Sequence, residues 1–178
     1  MRRWIMTAAT PVVIACAGAA PALATDPLLA PATACPDPAG AGANPARQEA
    51  AMRCLVNFAR RAARRAPLTP SRKLSRSAHL KSQLIARCGT LTHTPCGRAW
   101  YRVFHAVGFS GSYRENLAAG AGSTATPRAV MAMWLGSARH REALLDPSVT
   151  VFGTGVRLRA MIHGRPESVW TLHVGRPA

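Results

Sequence analysis

Hydrophobic positions recur at helical spacing over the first two thirds of the chain and alternate only near its end. Between residues 46 and 66, apolar side chains return every three or four residues, with arginines between them, and Pro67 ends the pattern. The apolar face holds Met52, Leu55, Val56, Ala59 and Ala63, and the polar face holds Arg53, Arg60, Arg61, Arg64 and Arg65. This segment is therefore predicted to be an amphipathic helix with a solvated, basic face.

Three Thr-Pro pairs predict the starts of three further helices. Threonine is a favourable N-cap, and proline at the first helical position loses no hydrogen bond. The predicted helices run from Thr69-Pro70 to a stop at Gly89, from Thr94-Pro95 to a stop at Gly108, and from Thr126-Pro127 through Trp134.

Alternating apolar positions predict strands toward the end of the chain. Val151–Met161 and Glu167–Val174 flank a turn at residues 163–166 and are expected to form a hairpin, while Tyr113–Ala119 predicts a short strand before a glycine-rich turn. Helices come first, strands come last, and neither a repeated βαβ unit nor an internal repeat is visible. The fold class is therefore predicted to be α+β.

The first 24 residues are predicted to be a signal peptide. Arg2 and Arg3 precede an apolar stretch, and Ala22-Leu23-Ala24 places small residues where a signal peptidase reads, so cleavage is expected before Thr25. No basic stop follows, which argues against a retained transmembrane segment. The expected product is secreted. The alternative is a lipoprotein anchored through Cys16, because Val13-Ile14-Ala15-Cys16 fits the pattern at which such chains are lipidated.

Cysteine usage in an exported chain predicts disulfides. Cys35, Cys54, Cys88 and Cys96 remain after removal of residues 1–24, and an even number favours pairing. Of the three possible pairings we favour Cys35–Cys54, which would pin the N-terminal segment to the first helix, together with Cys88–Cys96, which closes a short loop. Residues 25–45 hold five prolines and are expected to form a linker or loosely held arm, ahead of one domain over residues 46–178.

Composition supports a single exported domain and offers one alternative function. The chain has 178 residues, of which 48% are hydrophobic, which excludes an intrinsically disordered chain. Its net charge of +16 falls to +14 without residues 1–24, and 21 of its 23 basic residues are arginine, beside 35 alanines. The charge could attract anionic membrane or nucleic acid through the first helix. We favour a solvated helix face in an arginine-biased chain, with no specific nucleic acid as partner.

Acidic residues number only seven, so each is informative, and Glu115 stands out. It is followed by Asn116 and an apolar run, which favours burial beside a polar partner. His93 precedes a predicted helix inside the expected Cys88–Cys96 loop, and His140 lies between two predicted helical pieces. Imidazole and carboxylate both suit Zn²⁺, so His93, His140 and Glu115 form a candidate metal set.

The remaining histidines and acids have simpler explanations. His79 and His105 are expected to pack or meet solvent, His163 to be solvated, and His173 to face outward or into a cleft. Glu142 and Asp146 flank a short helix, where they would cap it or pair with arginine. Either could also join Glu115 as the carboxylate pair of a glycosidase. No pattern of a serine-hydrolase elbow, a zinc peptidase or a phosphate-binding loop occurs.

The order of these motifs resembles the CAP superfamily (cysteine-rich secretory proteins, antigen 5 and pathogenesis-related 1) in its short bacterial secreted form. The resemblance covers about residues 46–176. Its segments are Cys54–Arg60, Leu91-Thr92-His93, Glu115-Asn116-Leu117-Ala118, Trp134–Arg141 with Leu144-Leu145, Gly153–Val156, and Trp170-Thr171 followed by Gly175. The resemblance implies a three-layer α-β-α sandwich whose central cleft is lined, in the family, by two His and two Glu.

Carried over residue by residue, His93 matches the first family His, Glu115 the first Glu and His140 the second His. Ser137 stands at or near the second Glu, so the ligand cleft would be lined by these residues and Asn116. The expected function is a secreted, monomeric binding module whose cleft takes Zn²⁺ or another divalent metal, a small apolar ligand or cell-envelope component, or both. The alternatives are a cell-envelope or peptide hydrolase using Glu115 with His93 and His140, and an electrostatic binder of anionic surfaces.

Overall fold

The computed structural model describes residues 26–35, residue 37 and residues 44–178, which form five helices and four strands in the order below. The predicted signal peptide and Cys16 lie outside the described residues. The elements are α1 (Pro45–Ala62), β1 (Thr69–Pro70), α2 (Arg72–Cys88), α3 (Arg102–Ala106), β2 (Gly111–Gly120), α4 (Pro127–Gly136), α5 (Ala138–Leu145), β3 (Val151–Ile162) and β4 (Arg165–Pro177), with 3-10 turns at Pro95–Gly97 and Gly122–Ala125.

The strands form one sheet in the order β1-β3-β4-β2 between two helical layers, so the predicted α+β class is confirmed. The short β1 pairs with β3 in parallel, and the other pairs are antiparallel. His163 and Gly164 join β3 to β4 with φ angles of 48° and 77°, the left-handed backbone that tight hairpins use. In the described part of the chain, no helix is long and apolar enough to cross a membrane.

Side chains of β4 alternate between the two layers, as the period of a strand requires. Trp170, Leu172 and Val174 belong to the main hydrophobic core, which α1, α4 and α5 close on one side of the sheet. Thr171 and His173 are fully buried on the other side, where they bond to Ser82 and Ser77 of α2. The face beneath α2 is therefore partly polar, and it is the face that carries the buried part of the site.

Helix α2 lies unusually close to β3 because two glycines leave room for its backbone. A Cβ atom built at Gly153 would come within 2.0 Å of the Ser75 nitrogen, and one at Gly155 within 2.5 Å of the His79 nitrogen. The hydroxyl of Ser82 donates to the Gly155 carbonyl across this contact at 3.1 Å. The Gly-Thr-Gly motif therefore fixes how far the polar side chains of α2 reach into the sheet.

Two of the three Thr-Pro expectations need correction. Thr69-Pro70 forms β1, and the helix starts at Arg72 with Ser71 as its N-cap, whose hydroxyl accepts from Leu74 N–H at 3.3 Å. Strand pairing wins here because the Thr69 N–H donates to the Thr150 carbonyl at 3.0 Å and proline is tolerated on an edge strand.

The second exception follows Thr94, which makes no capping hydrogen bond. Its 3-10 turn ends after three residues, since Cys96 is tied to Cys88 and has a left-handed φ of 51°. A separate short α3 replaces the long helix expected there. Only Thr126 caps as predicted, accepting from the Ala129 N–H at 3.2 Å.

The N-terminal segment is held more firmly than its composition suggested. Both predicted disulfides are present, Cys35–Cys54 and Cys88–Cys96, which confirms the favoured pairing. Ala30 and Cys35 are buried in the main core, and the Arg128 guanidinium donates to the carbonyls of both. Residues 26–35 are thus a packed arm over α1 and α4, not a loose linker.

Arg60 is a second correction, because it does not share the solvated face of α1. Its side chain is buried and donates to the carbonyls of Ala66, Leu144 and Asp146 at 2.8–3.0 Å. The guanidinium satisfies chain ends that have no backbone partner, which explains why a charge is tolerated there.

Candidate functional site

The carboxylate of Glu115 lies at the centre of a buried polar network, with 1% of its side chain exposed. One oxygen accepts from His93 Nδ1 at 2.7 Å. The other accepts from His173 Nε2 at 2.8 Å and from Lys81 Nζ at 3.2 Å. All three partners are nitrogen donors, so the negative charge is compensated without a water contact being required.

The network follows from strand and helix periodicity. Glu115 alternates with Tyr113 and Leu117 on the α2 side of β2, and His173 is its direct cross-strand neighbour on β4. Ser77 and Lys81 are four residues apart, so they share the face of α2 that meets the sheet. Three elements therefore converge on one carboxylate.

Lys81 also fixes the loop that carries His93. Besides pairing with Glu115, its ammonium donates to the His93 carbonyl at 2.7 Å and to the Trp100 carbonyl at 3.3 Å. The three donors of the ammonium group are thus all used. Together with the Cys88–Cys96 disulfide, these bonds hold the loop in place on the side where it meets β2.

His173 extends the network inward to Ser77. Its Nδ1 lies 2.7 Å from the Ser77 hydroxyl, and both side chains are fully buried. The order Ser77–His173–Glu115 is that of a hydrolase triad, but a nucleophile must reach its substrate. Because Ser77 has no exposed surface, this chain of hydrogen bonds is internal and serves to orient Glu115.

The hydrogen bonds decide the charge state of the network. Burial raises the pKa of Glu115, but hydrogen bonds from His173 and His93 and the charge of Lys81 outweigh it and lower that pKa to about 2. Burial lowers the pKa of His173, and burial likewise lowers the pKa of Lys81 against the opposing pull of Glu115. Glu115 is therefore ionised at neutral pH and is a poor general base.

An ionised Glu115 also sets the tautomer of His93. A carboxylate can only accept, so Nδ1 of His93 must carry the proton, and the lone pair of a neutral ring lies on Nε2. More than half of the His93 side chain is exposed, at 57%. The imidazole is thus held from behind by a carboxylate while its coordinating nitrogen is left available, an arrangement common in metal sites.

A cavity of about 450 Å³ lies at the edge of β2, where this loop meets α5. Its lining residues are His93, Arg114, Glu115, Asn116, Ser137, Arg139, His140, Glu142 and Ala143. The Asn116 amide donates to the His140 carbonyl at 3.0 Å and so ties α5 to the strand. Arg114 bonds to Asp146 at 2.5 Å, and its guanidinium lies 3.8 Å from the Glu142 carboxylate.

His140 is the second imidazole of the cavity, and its Nδ1 is a buried polar atom with no hydrogen-bond partner. Burial lowers its pKa, and the nearby His93 lowers it further, so the ring is neutral at physiological pH. A buried ring nitrogen without a partner is uncommon in folded proteins and is usual near functional sites.

The donor set suits an open metal site better than a closed one. In the described part of the chain, no three His, Cys, Asp or Glu side chains are grouped so as to hold a metal ion. Glu115, the third member of the candidate metal set, has both oxygens engaged by Lys81, His173 and His93. Two imidazoles remain, and they fit an ion whose other positions are filled by water or by a ligand.

All five residues expected to line the ligand cleft face the same cavity: His93, Glu115, Asn116, Ser137 and His140. Lys81, His173 and Ser77 were not predicted. One signal for Lys81 was in the sequence, because it is one of only two lysines and continues the apolar spacing of Leu74, Ala78 and Ile85. His173 could be assigned only once the register placed it opposite Glu115.

Comparison with known proteins gives one family and several related folds. The model of the CAP family, described as the cysteine-rich secretory protein family, matches residues 54–160. An outer surface protein from Borrelia burgdorferi has a TM-score of 0.61 at 21% identity, over 71% of this chain and 90% of that one. No curated protein sequence matches the chain.

Two longer bacterial proteins contain a similar fold. An extracellular protein with an SCP domain from Bacillus anthracis has a TM-score of 0.56 at 19% identity, over 75% of this chain and 44% of that one. A cysteine-rich secretory protein from Staphylococcus aureus has a TM-score of 0.53 at 17% identity, over 75% of this chain and 40% of that one. This chain therefore spans less than half of either protein.

Proposed function

Because the chain belongs to the CAP family of cysteine-rich secretory proteins, we propose that it is an exported binding module whose cleft takes a divalent metal ion through His93 and His140. The observation that carries this proposal is the pair of neutral imidazoles in one cavity, one of them backed by a buried carboxylate. Zn²⁺ suits such nitrogen donors.

Export is supported by the disulfides and by similar proteins. Two disulfides in a small domain are typical of an oxidising compartment. The similar bacterial structures are described as an outer surface protein and an extracellular protein. Residues 1–24 would direct the export, with release by cleavage or anchoring through Cys16 as the two forms of the mature chain.

The polar lining makes an apolar ligand the weaker form of this proposal. Among the described residues that line the cleft, Ala143 is the one apolar side chain. A polar small molecule would find donors in the Arg139 guanidinium and the Ser137 hydroxyl. The hydrolase alternative has less support, since Glu115 is ionised, buried and fully engaged.

Thermal unfolding of the untagged protein with and without ZnCl₂ tests the metal proposal. Zinc at a hundredfold excess over its dissociation constant is expected to stabilise the fold by about 2.7 kcal/mol. His93→Asn and His140→Asn should each remove most of this shift, because each variant leaves a single imidazole in the cleft.

His163→Asn is the matched control. His163 lies exposed in the β3–β4 turn with a left-handed φ of 48°, which asparagine tolerates well. This variant loses one imidazole without touching the cleft, so its zinc shift should equal that of the wild type. An unchanged melting curve with zinc, or equal losses in all three variants, would refute the metal proposal.

A further inference from the structure

A second cavity, of about 630 Å³, lies on the opposite side of the Cys88–Cys96 loop between α2 and α3. We call it the α2–α3 groove. It has no lining residue in common with the cleft. Its volume is typical of sites that take small organic molecules.

The α2–α3 groove is strongly and one-sidedly charged. Arg87 lies at the end of α2, Arg98 in the loop, and Arg102 at the start of α3, and all three are exposed. Among the residues that the structure describes, none of the three has a hydrogen-bond or ion-pair partner. All seven acidic side chains of the protein are described, and none lines this groove.

Unpaired guanidinium groups on one cavity wall repel one another, and a bound anion would remove that repulsion. The chain is short of acids everywhere, but arginines elsewhere do find carboxylates, as Arg114 finds Asp146 and Arg141 finds Asp26. The lack of counter-charges at the α2–α3 groove is therefore a local property, beyond the overall basic composition.

The walls between the arginines are apolar and well fixed. Leu80, Leu84 and Val103 line the α2–α3 groove, and Tyr101 lies at its rim. The Cys88–Cys96 disulfide joins the segment of Arg87 to that of Arg98, with 5.6 Å between the two Cα atoms. Lys81 holds the same loop through the carbonyls of His93 and Trp100, so the arginine-bearing backbone is positioned before any ligand arrives.

We infer that the α2–α3 groove is a binding site for an organic phosphate. Arginine binds phosphate oxygens through paired N–H donors, and three guanidiniums match the charge of a phosphate monoester. The Leu80, Leu84 and Val103 surface would contact the apolar body that carries the phosphate. Such a group could belong to a soluble ester or to a lipid headgroup.

Binding of phenyl phosphate to the full chain, measured by isothermal titration calorimetry, tests the site. The groove variant Arg87→Gln/Arg98→Gln/Arg102→Gln is expected to bind at least about tenfold more weakly, since it loses the charge-assisted hydrogen bonds. The control variant Arg61→Gln/Arg72→Gln/Arg76→Gln loses the same charge from exposed positions outside both cavities. Its affinity should stay within about twofold of the wild type, because no phosphate contact is removed.

Vesicles of phosphatidylcholine with and without phosphatidic acid distinguish the two sources of phosphate. Binding of phenyl phosphate, or binding only of the phosphatidic acid vesicles, supports the site provided that the groove variant alone loses it. Equal losses in the groove and control variants would show diffuse attraction to a basic protein, and binding to neither probe would also overturn the inference. The zinc shift should persist in the groove variant, because His93 and His140 are unchanged.

Discussion

Glu115 shows how one buried charge can organise a site without performing chemistry in it. Its two oxygens accept three hydrogen bonds, from a loop histidine, a strand histidine and a helix lysine. Each of these partners belongs to a different segment, so the carboxylate joins α2, β4 and the His93 loop to β2. Its contribution is therefore expected to appear first in stability and only then in binding.

Glu115→Gln should destabilise the fold by about 3 kcal/mol near neutral pH, because the pKa of Glu115 is lowered from 4.5 to about 2. A carboxyl whose folded pKa is depressed contributes its stability above the unfolded value and loses it as the pH falls through the folded value. The difference between wild type and variant should therefore shrink between about pH 4.5 and about pH 2. Urea unfolding across this range measures it.

Glu142→Gln is the control for that series. The Glu142 side chain is 72% exposed and lies 3.8 Å from Arg114, so its removal should cost less than about 0.5 kcal/mol at any pH. A Glu115→Gln deficit that is independent of pH would mean that ionisation of Glu115 does not stabilise the fold.

Lys81→Met should cost about 3–5 kcal/mol, since it leaves a buried carboxylate with less compensation. Combined with Glu115→Gln, the loss should be clearly smaller than the sum of the two single losses, because the partners are in direct contact. The other lysine, Lys73, is exposed on the same helix, and Lys73→Met should cost under about 1 kcal/mol. Strict additivity in chemical denaturation would contradict the pairing.

At the scale of elements, the contact of α2 with β3 decides where the polar side chains of the helix end up. Ser77, Lys81 and Ser82 are buried against the sheet because Gly153 and Gly155 allow the two backbones to approach. Side chains at those positions would hold the helix away and lengthen every hydrogen bond of the Glu115 network.

Gly155→Ala is expected to destabilise the fold by about 1–3 kcal/mol, since its Cβ would meet the backbone of Ala78 and His79 at 2.5–2.6 Å. Thermal unfolding gives the loss, and a weaker zinc shift would report the displaced loop. Gly136→Ala is the matched control, because nothing lies within 4 Å of a Cβ there. It should be neutral or slightly stabilising, and a comparable loss would argue against close packing as the cause.

At the scale of the whole molecule, the arm of residues 26–35 is part of the domain. It contributes Ala30 and Cys35 to the main core, and it is tied down by Arg128, by the Arg141–Asp26 pair and by the Cys35–Cys54 disulfide. The arm covers α1 and α4, away from both the cleft and the α2–α3 groove.

Cys35→Ser/Cys54→Ser should therefore cost about 3 kcal/mol, the value expected for a crosslink that closes a loop of this length. Hydrogen exchange should become faster across residues 26–35, while the zinc shift at the cleft is retained. Unchanged exchange in the arm would show that its packing does not depend on the crosslink. A lost zinc shift would show instead that the arm supports the cleft.

The sequence by itself determined the features that rest on local physics. Helical spacing predicted α1, the alternating apolar residues predicted the β3–β4 hairpin, and an even count of cysteines with one short loop predicted both disulfides. The ordered motifs also indicated the family and the residues that line one cavity. These inferences succeed because each depends on neighbours in the chain or on motifs with a fixed order.

Only the tertiary structure decided what depends on contacts between distant segments. Thr69-Pro70 is a strand because Thr150 and Phe152 offer it backbone partners, and Arg60 is buried because unpaired carbonyls surround it. His173 and Lys81 reach Glu115 from positions 58 and 34 residues away in sequence. Hydrophobic periodicity records whether a side chain faces inward, and it carries no information on which charged group it will meet there.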